Sequence, residues 1–314
     1  MSNTTGFGQA NGKIILMGEH SVVYGQPSVA IPFPATQIKT TVTKSTNSET
    51  EIDCHFYTGL LKDMPELLES LKKVIEVSLI TLKKEHDVLS LKIESTIPAE
   101  RGMGSSAAVA VATTRGIFDY YQEPLSQAEL LRIVDIAEKI SHGNPSGLDA
   151  LMTSSSQPYY FIKGQPFTPI DLHLQAVLVV ADTGKTGQTK EAVASVGLKV
   201  AGKNHELYEH KIAELGELAQ ASREFLVTNQ PIALGEAMNA AQVLLAELGV
   251  SSLELDGLVV TALSNKALGA KLTGGGRGGC MIALARNLED AEKIAAALEK
   301  SGAKSTWLYE MSEQ

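Results

Sequence analysis

The stretch Pro98-Ala99-Glu100-Arg101-Gly102-Met103-Gly104-Ser105-Ser106-Ala107-Ala108 decides the reading of this chain. Two glycines and two serines leave its backbone nearly bare, and a run of small, helix-compatible residues follows. Several main-chain N–H groups would then face one anion, and the helix behind would aim the positive end of its dipole at it. The plain structural alternative is a glycine-rich turn feeding a buried helix. The preferred reading is a loop that holds a nucleotide's phosphates, with other motifs placed around it.

Composition narrows the class. The chain has 314 residues, 44% hydrophobic and 20% charged, which suits a soluble globular protein of two domains or one large one. No apolar run approaches the roughly 18 residues of a membrane span, and the N-terminus lacks the basic-then-apolar pattern of a signal peptide. The two cysteines, Cys54 and Cys280, cannot build a disulfide framework or a cysteine metal cage, so a reducing cytoplasm is expected. A net charge of −9 argues against nucleic acid or an anionic membrane as partner. A polyanionic ligand would have to be met locally, by backbone N–H groups, one or two lysines and a metal.

Working outward, alternation and turn residues predict strands at 13–17, 28–31, 37–43 and 89–95. A polar hairpin tip is expected at 44–51 with a returning strand at 51–57. Apolar residues three and four apart predict a helix over 65–86. The opening loop thus lies between a strand and a helix over 105–121. A second helix over 126–141 begins with Ser126 and Glu129 at capping-box spacing. His142-Gly143-Asn144-Pro145-Ser146-Gly147-Leu148-Asp149 breaks the pattern, and Asn144 would cap a short helix with Pro145 at its first position. Strands are expected at 158–162 and 176–181, with a domain boundary between them. The second half reads as helices over 188–200, 206–228, 231–248 and 253–267, a strand at 270–273, a glycine cluster at 274–279, a strand at 280–285, a helix over 288–301 and a strand at 305–310.

Three glycine motifs compete with the phosphate-loop reading. Gly274, Gly276 and Gly279 satisfy G-x-G-x-x-G, and Gly102, Gly104 and Ala107 its looser form. A strand follows the first where a dinucleotide fingerprint needs a helix, and no convincing ribose-binding acid follows the second. Gly184-Lys185-Thr186 resembles the end of a Walker A loop, but the required upstream glycine is Val179. Asp149 in the first turn of a helix would be held ionised by the dipole. A lysine such as Lys13 beside an aspartate is suited to accepting or polarising an alcohol proton. Glu138 gains meaning only if Ser106 lies opposite, since a carboxylate, a hydroxyl and phosphate oxygens make a normal Mg²⁺ environment. The histidines lack zinc-ligand spacing, and Cys280 reads as packing.

Three segments together resemble the GHMP kinases: KIILMGEHSVVYG at 13–25, PAERGMGSSAA at 98–108 and KLTGGGRGGC at 271–280, in the order and spacing of that family's motifs. Gly18-Glu19-His20 followed by Val22-Val23-Tyr24-Gly25, and the 142–149 segment, resemble its mevalonate-phosphorylating branch. Galactokinases instead carry Asp-Tyr after the corresponding histidine. Met103 stands where the family usually has leucine, a tolerated exchange of similar volume.

The resemblance implies an α+β, two-domain GHMP kinase fold. A ribosomal-S5-like N-terminal ATP-binding domain would span 1–168 and a ferredoxin-like C-terminal domain 169–314, with the site in the cleft. It implies transfer of a phosphoryl group from ATP to the C5 hydroxyl of mevalonate, in the mevalonate route to isopentenyl diphosphate. Pro98, Glu100, Arg101, Gly102, Met103, Gly104, Ser105, Ser106 and Ala107 would bind ATP. Ser106 and Glu138 would hold Mg²⁺. Asp149 and Lys13 would be catalytic, and Glu19, His20 and Thr189 would line the substrate site. A homodimer is possible on the same analogy. The remaining alternatives are a related kinase acting on phosphomevalonate, homoserine or galactose, and a non-catalytic sensor with a decayed site. A phosphomevalonate site needs additional cations for the substrate phosphate, and Lys13, Lys185, Lys190 and Arg277 are the candidates.

Overall fold

The computed structural model describes residues 5–142 and 145–311. They fall into two compact units. One comprises the chain up to Gly12, Thr36–Pro98 and Gly104–Ser155; the other comprises Lys13–Ala35, Ala99–Met103 and the chain from Ser156 onward. Two strands, β1 (Gly6–Met17) and β2 (Ser28–Lys44), pass from one unit into the other. β2 merges two of the strands expected from sequence, because Pro32 and Pro34 do not end it. Both prolines fall between the ladder that Ser28–Ala30 forms with β6 (Tyr159–Phe161) and the one that Ile38–Lys44 forms with β5 (Leu89–Ser95). Their missing N–H groups therefore break neither ladder.

In the first unit the strand order is β4-β3-β5-β2, with β3 at Glu51–Cys54 and β4 at Tyr57–Leu60. The expected hairpin between 37–43 and 51–57 does not form. β5 lies between those strands, antiparallel to β2 and parallel to β3. Its alternating Leu89, Leu91 and Ile93 are all buried, which suits a central strand, whereas β3 buries only Ile52.

Helices α1 (Glu69–Leu82), α2 (Ser105–Tyr120), α3 (Gln127–His142) and α4 (Leu148–Ser154) complete the unit. α2 packs against the other three. Its small residues Ala107, Ala108, Ala110 and Ala112 are buried and permit close approach. The start of β1 lies directly on α2: a Cβ on Gly8 would come within 1.9 Å of the Ala112 carbonyl oxygen. Ser126 caps α3 as predicted, its Oγ accepting from the Glu129 amide at 3.1 Å. Asn144 lies outside the described residues. α4 begins at Leu148 after Gly147 (φ 79°), so Pro145 precedes the helix and does not open it.

The second unit is built on an antiparallel sheet of order β11-β8-β10-β9, with β8 at Val177–Asp182, β9 at Gly269–Thr273, β10 at Cys280–Ala285 and β11 at Ser305–Glu310. Every residue of β8, β9 and β10 is buried, as expected where helices cover a sheet. The helices are α5 (Thr189–Val200), α6 (His205–Val227), α7 (Pro231–Glu247), α8 (Leu253–Ser264) and α9 (Leu288–Lys300). α7 and α8 pack on β9, and α9 on β8, β10 and β11. β6 pairs with β2 and with the short β7 (Thr168–Pro169). Among the described residues no helix is long and apolar enough to cross a membrane.

Candidate active site

In the first unit, Gly104 (φ 74°) turns the loop into α2. The first amides of an α-helix have no intrahelical acceptor, so those at Ser105, Ser106 and Ala107 suit an anion. Ser106 Oγ lies 3.4 Å from Ser141 Oγ in the last turns of α3. Glu138, one helical turn before Ser141, is buried. Ser106 is thus brought to the stretch of α3 that carries Glu138. Asp149 occupies the first turn of α4 and is half-buried; its carbonyl accepts from Thr153 Oγ1 at 2.8 Å.

In the second unit, β1 delivers Lys13, which is 4% exposed and whose amide donates to the Met103 carbonyl at 3.0 Å. β1 ends at Met17, and Gly18, Glu19 and His20 reverse the chain. His20 has φ 61° and ψ −41°, and the Ser21 amide donates to the Glu19 carbonyl at 2.7 Å. That is the strained form of the γ-turn, which non-glycine residues rarely adopt; such conformations cost about 1–3 kcal/mol and persist only where the surroundings hold them.

Two contacts hold this one. The Glu19 carboxylate forms an ion pair through Oε1 with the Lys271 ammonium, both side chains being fully buried. His20 Nε2 lies 3.0 Å from the Gly275 carbonyl oxygen, so Nε2–H is the donor. Burial lowers the His20 pKa to about 4 and leaves the ring neutral. Burial also pushes the Glu19 carboxyl up, against the attraction of Lys271 and more weakly of Lys13; it pushes the Lys271 ammonium down, against the attraction of Glu19.

The glycine cluster is the turn between β9 and β10. Gly274, Gly276, Arg277, Gly278 and Gly279 all have positive φ. At Gly275 the constraint is space, since a Cβ there would lie 2.1 Å from Thr189 Oγ1. Thr189, at the start of α5, therefore sits against the same tip that receives His20. The Arg277 amide donates to the Val250 carbonyl at 2.8 Å and its Nε to the Gly249 carbonyl at 3.2 Å.

Of the loop residues assigned to ATP, Arg101 and Met103 anchor the loop. Arg101 Nε donates to Asp182 Oδ1 at 2.9 Å, and its terminal nitrogens reach the Gly184 carbonyl at 3.2 Å and Thr186 Oγ1 at 3.4 Å. Met103 is buried, with Cys280 Sγ 3.8 Å from its sulfur. The Glu100 carbonyl accepts from the Gly187 amide at 3.0 Å. Cys280 is fully buried, and burial pushes its thiol far above the usual range, so it is packing and no nucleophile.

Sequence reading missed Lys271 and Asp182. Lys271 stood in a quoted motif but received no role. Its signal was a lone lysine in the otherwise uncharged strand Gly269–Thr273, which a buried counter-charge must explain. Asp182 had no local signal, because its partner is 81 residues away.

Family profiles match at two places: the GHMP kinases N terminal domain over residues 69–156 and the GHMP kinases C terminal domain over 222–304. The chain belongs to the GHMP kinases, a class that uses ATP. It is 35% identical to a mevalonate kinase of Pyrococcus horikoshii over 92% of both chains. It is 32% identical to one of Aeropyrum pernix, over 93% of this chain and 92% of that one. Among solved structures, mevalonate kinase of Staphylococcus aureus MRSA252 shares 30% identity at a TM-score of 0.76, with 99% of this chain and 100% of that chain covered. The L. major enzyme in complex with R-mevalonate shares 26% at a TM-score of 0.85, covering 100% and 98%. Within the GHMP kinases the chain groups with the mevalonate kinases, and the two-domain α+β fold expected from its motifs is the fold of these neighbours.

Proposed function

We infer that this protein transfers the terminal phosphoryl group of ATP to the C5 hydroxyl of mevalonate, giving 5-phosphomevalonate and ADP. The observation that carries the reading is likeness to mevalonate kinases along nearly the whole chain, at 35% identity over 92% of both partners. The chemistry needs little covalent work from a protein; positioning and charge neutralisation supply most of it.

The loop residues Pro98, Glu100–Ala107 are assigned to the ATP phosphates, with the amides at the start of α2 as donors. Arg101 and Met103 serve that loop from behind, through Asp182 and Cys280. Ser106 and Glu138 would hold Mg²⁺. Their oxygens are the hard donors this ion prefers. Among the described residues no group of three or more His, Cys, Asp or Glu side chains forms a metal cluster. A site of one hydroxyl and one carboxylate suits an ion that keeps phosphate oxygens and water in its shell. When bound, the ion would offset negative charge on the phosphates.

Asp149 accepts the C5 hydroxyl proton, or orients that hydroxyl toward the phosphorus. Lys13 favours the developing alkoxide. Glu19, His20 and Thr189 line the alcohol site. Arg277 gives its side-chain Nε to the Gly249 carbonyl, which speaks against its use for a second substrate phosphate.

An assay coupling ADP release to a colour change, run with mevalonate, phosphomevalonate, homoserine and galactose, tests the reading. Turnover of mevalonate is expected. Turnover of one of the other three with none of mevalonate would overturn it.

A further inference from the structure

Two polar atoms beside the Glu19–His20 turn have no hydrogen-bond partner among the described residues: Glu19 Oε2 and His20 Nδ1. Both residues are buried, at 1% and 6% exposure, and they are neighbours in the chain. Neither atom can donate. A carboxylate only accepts, and a neutral imidazole that gives its Nε2–H to a carbonyl presents Nδ1 as an acceptor. Buried acceptors without donors are costly, and this pair sits at a turn whose backbone is itself strained.

The Glu19 half of the clamp on that turn comes from β9. Lys271 on β9 pairs with Glu19 Oε1 and donates to its neighbour's carbonyl, Leu272 O, at 2.7 Å. The ammonium is thereby fixed in place as well as in charge. The Lys271 ammonium is committed to Glu19 and to its own strand, so whatever it contributes beyond stability passes through Glu19.

We propose that Lys271 is a positioning residue for the alcohol substrate: by fixing Glu19 Oε1 it holds Glu19 Oε2 and His20 Nδ1 as a paired acceptor for a substrate hydroxyl. An acceptor pair receives an O–H donor and repels a carboxylate or phosphate oxygen, so it selects the hydroxyl-bearing part of the substrate. The assignment rests on the reading that Glu19 and His20 line the alcohol site.

The test measures dissociation constants of R-mevalonate and of ATP by calorimetry for the wild type, Glu19→Gln, Lys271→Met and the double variant, with melting temperatures alongside. Lys271→Met and Glu19→Gln should each weaken mevalonate binding about tenfold or more and leave ATP within about twofold. The double variant, which removes both buried charges together, should bind mevalonate no worse than Glu19→Gln alone. Unchanged mevalonate affinity in a folded Lys271→Met protein would overturn the proposal. So would losses that multiply in the double variant, the mark of independent action. If Lys271→Met alone does not fold, the comparison of Glu19→Gln with the double variant decides by the same criterion. If the wild type binds a different alcohol and not mevalonate, the substrate reading falls, and the same four proteins titrated with that alcohol still decide the role of Lys271.

Discussion

The Arg101 guanidinium donates to the Asp182 carboxylate at 2.9 Å, with side-chain exposures of 12% and 4%. This pair ties the loop that carries Arg101 to the segment that leads from β8 into α5. Arg101 also reaches the carbonyls of Ala99 and Gly184 and the Thr186 hydroxyl. One planar side chain thus holds four positions of two loops.

Arg101→Ala should therefore act on stability and on nucleotide together. It leaves the buried Asp182 carboxylate with the Gly184 amide as donor but no counter-charge, at a cost of about 2–4 kcal/mol. Denaturant midpoints and the KM for ATP check this, and both should worsen. Arg101→Lys keeps the charge but not the fork, so it should fall between. An Arg101→Ala protein as stable as wild type would refute the anchoring role.

Asp149→Asn should abolish nearly all turnover while ATP still binds. The exchange keeps the shape and removes the charge proposed to accept or align the hydroxyl proton. Single-turnover phosphoryl transfer with nucleotide binding measured in parallel separates the two effects. Retention of a tenth of the rate would sink the assignment.

His20 should make stability fall in mild acid. Its pKa is lowered to about 4 in the folded chain, against an ordinary value of 6.5 when unfolded. The unfolded chain thus takes up a proton first. The contribution is complete above the unfolded value and is lost progressively as pH falls from about 6.5 toward about 4, by roughly 3 kcal/mol in all. Urea midpoints between pH 7 and pH 4 should show this slope, and His20→Asn, which tolerates positive φ, should flatten it. Parallel profiles for the two proteins would contradict the assignment.

Gly275→Ala should lower the melting temperature, because its Cβ would meet Thr189 Oγ1 at 2.1 Å and Thr189 Cβ at 2.6 Å. Overpacking of this kind costs about 1–3 kcal/mol. Adding Thr189→Gly clears those two atoms but not the Thr189 Cα at 2.7 Å, so calorimetry should show partial recovery.

Local pattern carried much of the fold into the sequence. β5, β10 and β11 stand where alternation or apolar runs between turn residues put them, and α2 and α3 start within a residue of their predicted positions. What failed was long-range pairing. Nothing in 44–57 reveals that β5, over thirty residues on, displaces a local hairpin, because strand partners are chosen by burial of the whole sheet. The candidate site divided the same way. Glycine spacing and a lysine near the N-terminus made its loops legible. The partnerships of Arg101 with Asp182 and of Glu19 with Lys271 span 81 and 252 residues; the lone lysine of β9 signals a buried counter-charge, but no local signal says which residue supplies it.

The turn joining β9 to β10 has a consequence for redesign. Four of its six positions are glycines with positive φ, Arg277 is occupied with backbone carbonyls, and Gly275 has no room for a methyl group. The tip therefore offers laboratory evolution almost nothing to vary. A library aimed at a new alcohol would gain diversity only at the side chains gathered around it, Thr189 and the Glu19–His20 corner, while randomising the glycines would return mostly unfolded protein.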